Sequence, residues 1–113
     1  MNAIGYNPAL IREIRMNSLT PAQRQHLKGL AHGLQPGVMI GNQGLTPPVI
    51  QEIVRSLAAH ELVKIKAASD EASIRRGWLE AICAGTGAAP VQQIGKMLVV
   101  YKQADKPVIS LPL

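Results

Sequence analysis

Gly41-Asn42-Gln43-Gly44 has the residue types and spacing to hold an anion with backbone alone. Paired glycines let the main chain approach a phosphate closely, and the N–H groups of such a turn can converge on its oxygens. By itself a Gly-x-x-Gly stretch is also a common tight turn. Its surroundings favour binding, because no acid lies within seven residues on either side. Pro47 and Pro48 lack an N–H, so the helix start that follows has fewer donors than usual. Phosphate contacts must then come from the loop's own amides, with charge supplied by Arg24, Lys28 and Lys96. Gly44 has two readings: a glycine required by a turn at positive φ, or one kept small so that phosphate can approach.

Other chemistry finds little support. His26, His32 and His60 have no metal-type spacing with one another or with Cys83, so no metal or cofactor is expected. Cys83 follows Ile82 on an apolar helix face and reads as a buried, inert thiol. Gly85-Thr86-Gly87 begins like a dinucleotide fingerprint, but position 90 is proline and the segment ends a helix instead of opening one. Gly95-Lys96 lacks the hydroxyl residue and earlier glycine of a phosphate-binding P-loop. No carboxylate pair stands out, and the chain does not read as an enzyme.

Twelve basic and seven acidic residues leave the 113-residue chain at +5, with 47% hydrophobic residues, which excludes a disordered polycation. Residues 14–51 contain no acid, and neither do residues 81–104, so two segments present positive charge to a polyanion. Aromatics make up only 3%, which argues against a binder built on several stacking rings. No apolar run reaches membrane-spanning length. The single cysteine suits a reducing cytoplasm.

One domain positions these residues. Residues 1–16, broken by Asn7-Pro8, read as an N-terminal extension that need not be ordered, and 17–113 as the folded domain. Thr20-Pro21-Ala22-Gln23 is a capping-box helix start, and Leu27, Leu30, Ala31 and Leu34 form its apolar stripe. Val38-Met39-Ile40 reads as a short strand. Thr46-Pro47 opens a second helix with Val49, Ile50, Ile53, Val54 and Leu57 inward. Residues 62–68 alternate as a strand with one wet face. Asp70 reads as the cap of a third helix bearing Ile74, Trp78 and Ile82, with Glu71–Arg75 and Arg76–Glu80 as ion pairs and Trp78 as a core anchor. Residues 91–94 and 97–102 read as a hairpin turning at Gly95-Lys96, and residues 108–111 as an edge strand or tail. The first three strands are expected to run parallel and the last antiparallel. The glycine loop, the Ser69-Asp70 turn and the Gly95-Lys96 turn should then share one sheet edge, with Arg24 and Lys28 near it.

Four stretches together resemble the CRM domain (chloroplast RNA splicing and ribosome maturation), in its small bacterial YhbY-type form. They are Gln25-His26-Leu27-Lys28-Gly29-Leu30-Ala31-His32, Gly41-Asn42-Gln43-Gly44-Leu45-Thr46, His60-Glu61-Leu62-Val63-Lys64-Ile65-Lys66 and Ile94-Gly95-Lys96-Met97-Leu98-Val99-Val100-Tyr101. The resemblance implies an α/β fold of order α-β-α-β-α-β-β, a mixed four-stranded sheet with packed helices, similar to the C-terminal domain of the third bacterial initiation factor. It implies RNA binding through Arg24, Lys28, Gly41, Asn42, Gln43, Gly44 and Lys96, and association with precursors of the large ribosomal subunit. A monomeric, cytoplasmic assembly factor is the expectation. The alternative is a protein-interaction module that docks its basic edge on an acidic partner.

Overall fold

The computed structural model describes residues 19–113; the expected extension over residues 1–16 lies outside them. Seven elements follow in the predicted order. They are α1 (Pro21–His32), β1 (Val38–Ile40), α2 (Pro47–His60), β2 (Leu62–Ala67), α3 (Ala72–Thr86), β3 (Ala89–Ile94) and β4 (Met97–Tyr101).

Local chemistry accounts for the helix ends. Thr20 Oγ1 accepts from Gln23 N at 3.1 Å while Gln23 Oε1 accepts from Thr20 N, a complete capping box. At the other end of α1, Lys64 Nζ donates to the carbonyls of Ala31 and Leu34, a cation on the negative end of the helix. α3 closes at Gly87, whose φ of +80° is the left-handed cap that glycine adopts without cost. Its start differs from the sequence reading. Glu71, not Asp70, is the cap residue and makes no side-chain cap bond. Among the described residues neither Glu71–Arg75 nor Arg76–Glu80 forms an ion pair; Asp70 pairs with Lys96 instead.

The four strands lie in the order β1-β2-β4-β3. β1 and β2 pair in parallel, and β4 is antiparallel to both β2 and β3. The first three strands therefore point the same way, as expected, with β4 inserted between the second and third. The two faces of the sheet bury different partners. α2 and α3 cover Val38, Ile40, Val63, Ile65, Ala67, Leu98 and Val100 through Ile53, Leu57, Leu79 and Ile82. α1 covers Leu62, Val91, Val99 and Tyr101 through Leu27 and Ala31. Leu30, Val54 and Ile74, assigned inward by spacing, are more than two-fifths exposed, because each helix packs only a narrow stripe.

Residues 102–113 form a tail, not a strand, and its anchor is Glu61. This side chain is fully buried and its φ is +67°, a conformation non-glycine residues rarely adopt. Its Oε1 accepts from Val108 N and Ile109 N at 2.8 and 2.7 Å, and its Oε2 from Ala104 N at 2.8 Å. Its carbonyl accepts from Lys102 N. The tail thereby brings Ile109 and Leu111 against the α1 side of the core, and Pro112 O accepts from Gln23 Nε2. Burial pushes the Glu61 carboxyl up, but the three N–H donors outweigh it and hold it below the usual carboxylate range.

Glu61→Gln keeps one acceptor oxygen but turns an amide toward the Ala104 N–H. It is expected to cost about 2 kcal/mol in urea unfolding, the scale of a lost bond to a charged group. Because the folded-state value is depressed, the unfolded chain takes up the proton first. Glu61's contribution is complete above the ordinary carboxylate pKa of about 4.3 and is lost as pH falls toward the lower folded value. Unfolding curves of the Gln variant should lack that part of the acid-side decline.

Candidate functional site

The loop edge is assembled from three connections. Strand β1 ends at Ile40, and residues 41–44 make a β-turn in which Gly44 N donates to Gly41 O at 3.0 Å. Asn42 and Gln43 form its exposed tip. Among the described residues their N–H groups have no hydrogen-bond partner, so two donors face outward at the turn. Gly44, at φ +75°, redirects the chain, and Thr46 N donates to Gly44 O before α2 begins. Thr46 makes no side-chain cap bond, and prolines stand at the first two helical positions, so the turn itself carries the available donors.

The same edge carries the turns after β2 and β3. Ala67 N donates to Lys96 O, and Ala68 N to Ile40 O, which fixes all three turns side by side. Gly95, at φ +55°, turns the β3–β4 hairpin and presents Lys96. Lys96 Nζ lies 2.8 Å from Asp70 Oδ1, the one ion pair among the described residues, with the two side chains 48% and 95% exposed. The Lys96 ammonium, through its hydrogen bond and charge, holds the Asp70 carboxyl below its usual range. An exposed pair of this kind is weak and readily exchanged for another anion. The acid-free neighbourhood of Lys96 in sequence is therefore not acid-free in space.

The expected convergence of the three turns is present, but it does not include Arg24. Arg24 Nε donates to Pro90 O at 3.3 Å, at the start of β3, and Pro90 pairs with Val100 near the end of β4. That is the opposite edge of the sheet from the loop. The reason is that α1 lies across the strands, with its start over β3 and its end over Lys64 of β2. Lys28, one turn further along, is half-buried beside the exposed sheet surface formed by Gln92, Ile94 and Met97.

Two residues have a place at the edge that the sequence did not reveal. Trp78 is half-buried, and its indole is the side chain that a Cβ on Gly44 would meet, with Cζ2 at 3.6 Å. It is a core anchor, as its spacing predicts, and also the floor of the glycine turn. Arg75 donates through Nη1 to Ser69 O instead of pairing with Glu71, and its buried Nε has no partner. The signal was present in the i, i+3 spacing of Arg75 and Trp78, which puts both on one helix face. Cys83 is half-buried, and burial pushes its thiol up to about 11, in keeping with an inert thiol. Among the described residues there is no metal-type cluster of histidine, cysteine and carboxylates, and no helix is long and apolar enough to cross a membrane.

Fold and site together define a small α/β domain that presents, at one sheet edge, a glycine-bounded turn whose tip N–H groups have no partner among the described residues, with Lys96 on the same edge. The CRS1 / YhbY (CRM) domain model matches residues 19–102, and the chain belongs to that family. It is 44% identical over 97 residues to a Haemophilus influenzae protein named an RNA-binding protein, covering 86% of this chain and 98% of that one. It is 32% identical over 95 residues to Bacillus subtilis YqeI, covering 83% of this chain and 99% of that one. The solution structure of a Staphylococcus aureus protein superposes with a TM-score of 0.76 at 30% identity, covering 84% of this chain and all of that one.

The two loop glycines differ in what they require. A Cβ on Gly44 would have room against Trp78 but would sit at φ +75°, so Gly44→Ala is expected to cost about 1 kcal/mol through backbone strain. Gly41 has open space and no positive φ, so Gly41→Ala should melt within about 0.5 kcal/mol of the parent in thermal denaturation.

Proposed function

We propose that this chain binds RNA phosphates with the exposed turn of residues 41–44 and with Lys96, supported by Lys28. The observation that carries the reading is the pair of N–H groups of Asn42 and Gln43, unpartnered among the described residues, on the same sheet edge as Lys96, whose ammonium pairs with the exposed Asp70 carboxylate. The names of its relatives support RNA as the polyanion. Backbone donors read phosphate and not bases, so low sequence specificity is expected. Arg24, at the opposite edge, contributes to the general positive field instead of the turn's own contacts.

The resemblance to the CRM family supports a finer reading. The chain acts as a monomeric, cytoplasmic, non-catalytic factor on precursors of the large ribosomal subunit. Residues 17–113 are its binding domain and residues 1–16 lie outside it. Crosslinking in cells followed by sequencing of the attached RNA tests this assignment; reads spread over messenger RNA, with none enriched in large-subunit precursors, would overturn it.

If about three to five phosphates are contacted, RNA affinity should fall with salt at a log–log slope of roughly −2 to −4. A slope near zero in fluorescence anisotropy would sink the reading. Lys96→Glu is expected to weaken binding while leaving stability within about 0.5 kcal/mol, because the side chain is at the surface. Gly41→Ala tests the turn: reduced affinity in a protein that melts normally supports close phosphate approach, and wild-type affinity argues against it.

A further inference from the structure

The last rung of the sheet beside the loop edge is a single row across all four strands. Met39 of β1 is the register partner of Lys66 in β2. Lys66 is the partner of Met97 in β4, and Met97 of Ile94 in β3. These side chains project on the face that α1 occupies, since Leu62 and Val99, at alternate positions along the same strands, pack against α1. α1 lies over the other end of that face, so among the described residues the row stays open. Met39 is 56% exposed and Ile94 57%, with Lys66 exposed between them. Two exposed apolar side chains with the half-buried Met97 between Lys66 and Ile94 form an apolar row on a small domain, which marks a contact surface.

Charge selects the occupant. No acidic residue occurs in α1 or in any of the four strands. Lys66 stands in the row itself, Lys28 faces it from α1, and Lys96 projects from the turn that joins its last two strands. An acidic nucleic acid fits this face. The row also begins next to Gly41 and ends next to Gly95, so a chain whose phosphates lie on the loop edge has its bases within reach of the sheet. In a duplex those bases are stacked and paired and cannot lie on it. In an unpaired strand they can be splayed onto apolar side chains.

We propose that the row Met39–Lys66–Met97–Ile94 is a platform for unpaired RNA bases, so that the domain prefers single-stranded or looped RNA to duplex. The proposal rests on the RNA-binding reading of the loop edge. Methionine and isoleucine offer adaptable apolar contact without hydrogen-bond readout, so the preference is for unpaired structure and not for sequence.

The test compares a labelled oligouridylate with an RNA duplex of equal length, titrated with the full chain and with a Met39→Ser/Ile94→Ser double variant. The parent should favour oligouridylate, and the variant should lower the ratio of the two affinities by about fivefold. Using a ratio from one preparation cancels any misfolded fraction. An unchanged ratio with both RNAs still bound would overturn the platform, leave the loop reading intact and point to a protein occupant of the row. Binding of neither RNA by the parent would overturn the loop reading as well. As a second measurement, the ε-methyl resonances of Met39 and Met97 should move when oligouridylate is added; unmoved resonances in a complex that forms would also overturn it.

Discussion

A buried carboxylate at the junction of α2 and β2 organises the half of the molecule that carries α1. Glu61 sits at positive φ and fully out of solvent, two conditions that each oppose it. It persists because three backbone N–H groups from the tail converge on it, and a carboxylate so solvated by donors no longer needs water. The tail is thereby committed to lie beside α1, where Ile109 and Leu111 complete an apolar cluster with Leu27. Tyr101, in the same region, is pushed up by burial and by the Glu61 charge. Without this tether α1 would have only one side of its stripe covered.

Fixing α1 at that end has a consequence at the other. The helix and tail together occupy the half of the sheet face nearest the chain reversal at Glu61, and among the described residues nothing covers the opposite half beside the glycine turn. The loop edge and the open row are thus contiguous for a packing reason. Among the described residues one short helix serves that face, and it cannot cover four strands along their whole length. On the other face α2 and α3 fill the area, and the indole of Trp78 reaches the edge to support Gly44.

At the loop edge the electrostatics are modest and replaceable. One exposed ion pair occupies Lys96, and the free donors are main-chain amides. Such a site discriminates charge and shape more than chemical identity. It suits a ligand that repeats phosphates along a chain, since each contact is small and their sum depends on salt.

Which parts of this were legible from residues alone follows from the range of the forces involved. The capping box at Thr20, the glycine close of α3, the Gly95-Lys96 turn and the element order depend on neighbours three or four positions apart, and they read directly off the sequence. So did the gathering of three turns at one edge, because strands of like direction put their ends together. The chain's linear order could not reveal that β4 enters between β2 and β3, since that choice is settled by burying both faces of the sheet at once. On it depend the meeting of Asp70 with Lys96, the row from Met39 to Ile94, and the displacement of Arg24 to the far edge. Charge neighbourhoods and exposed surfaces are properties of space, and twenty-six residues of sequence separate Asp70 from Lys96.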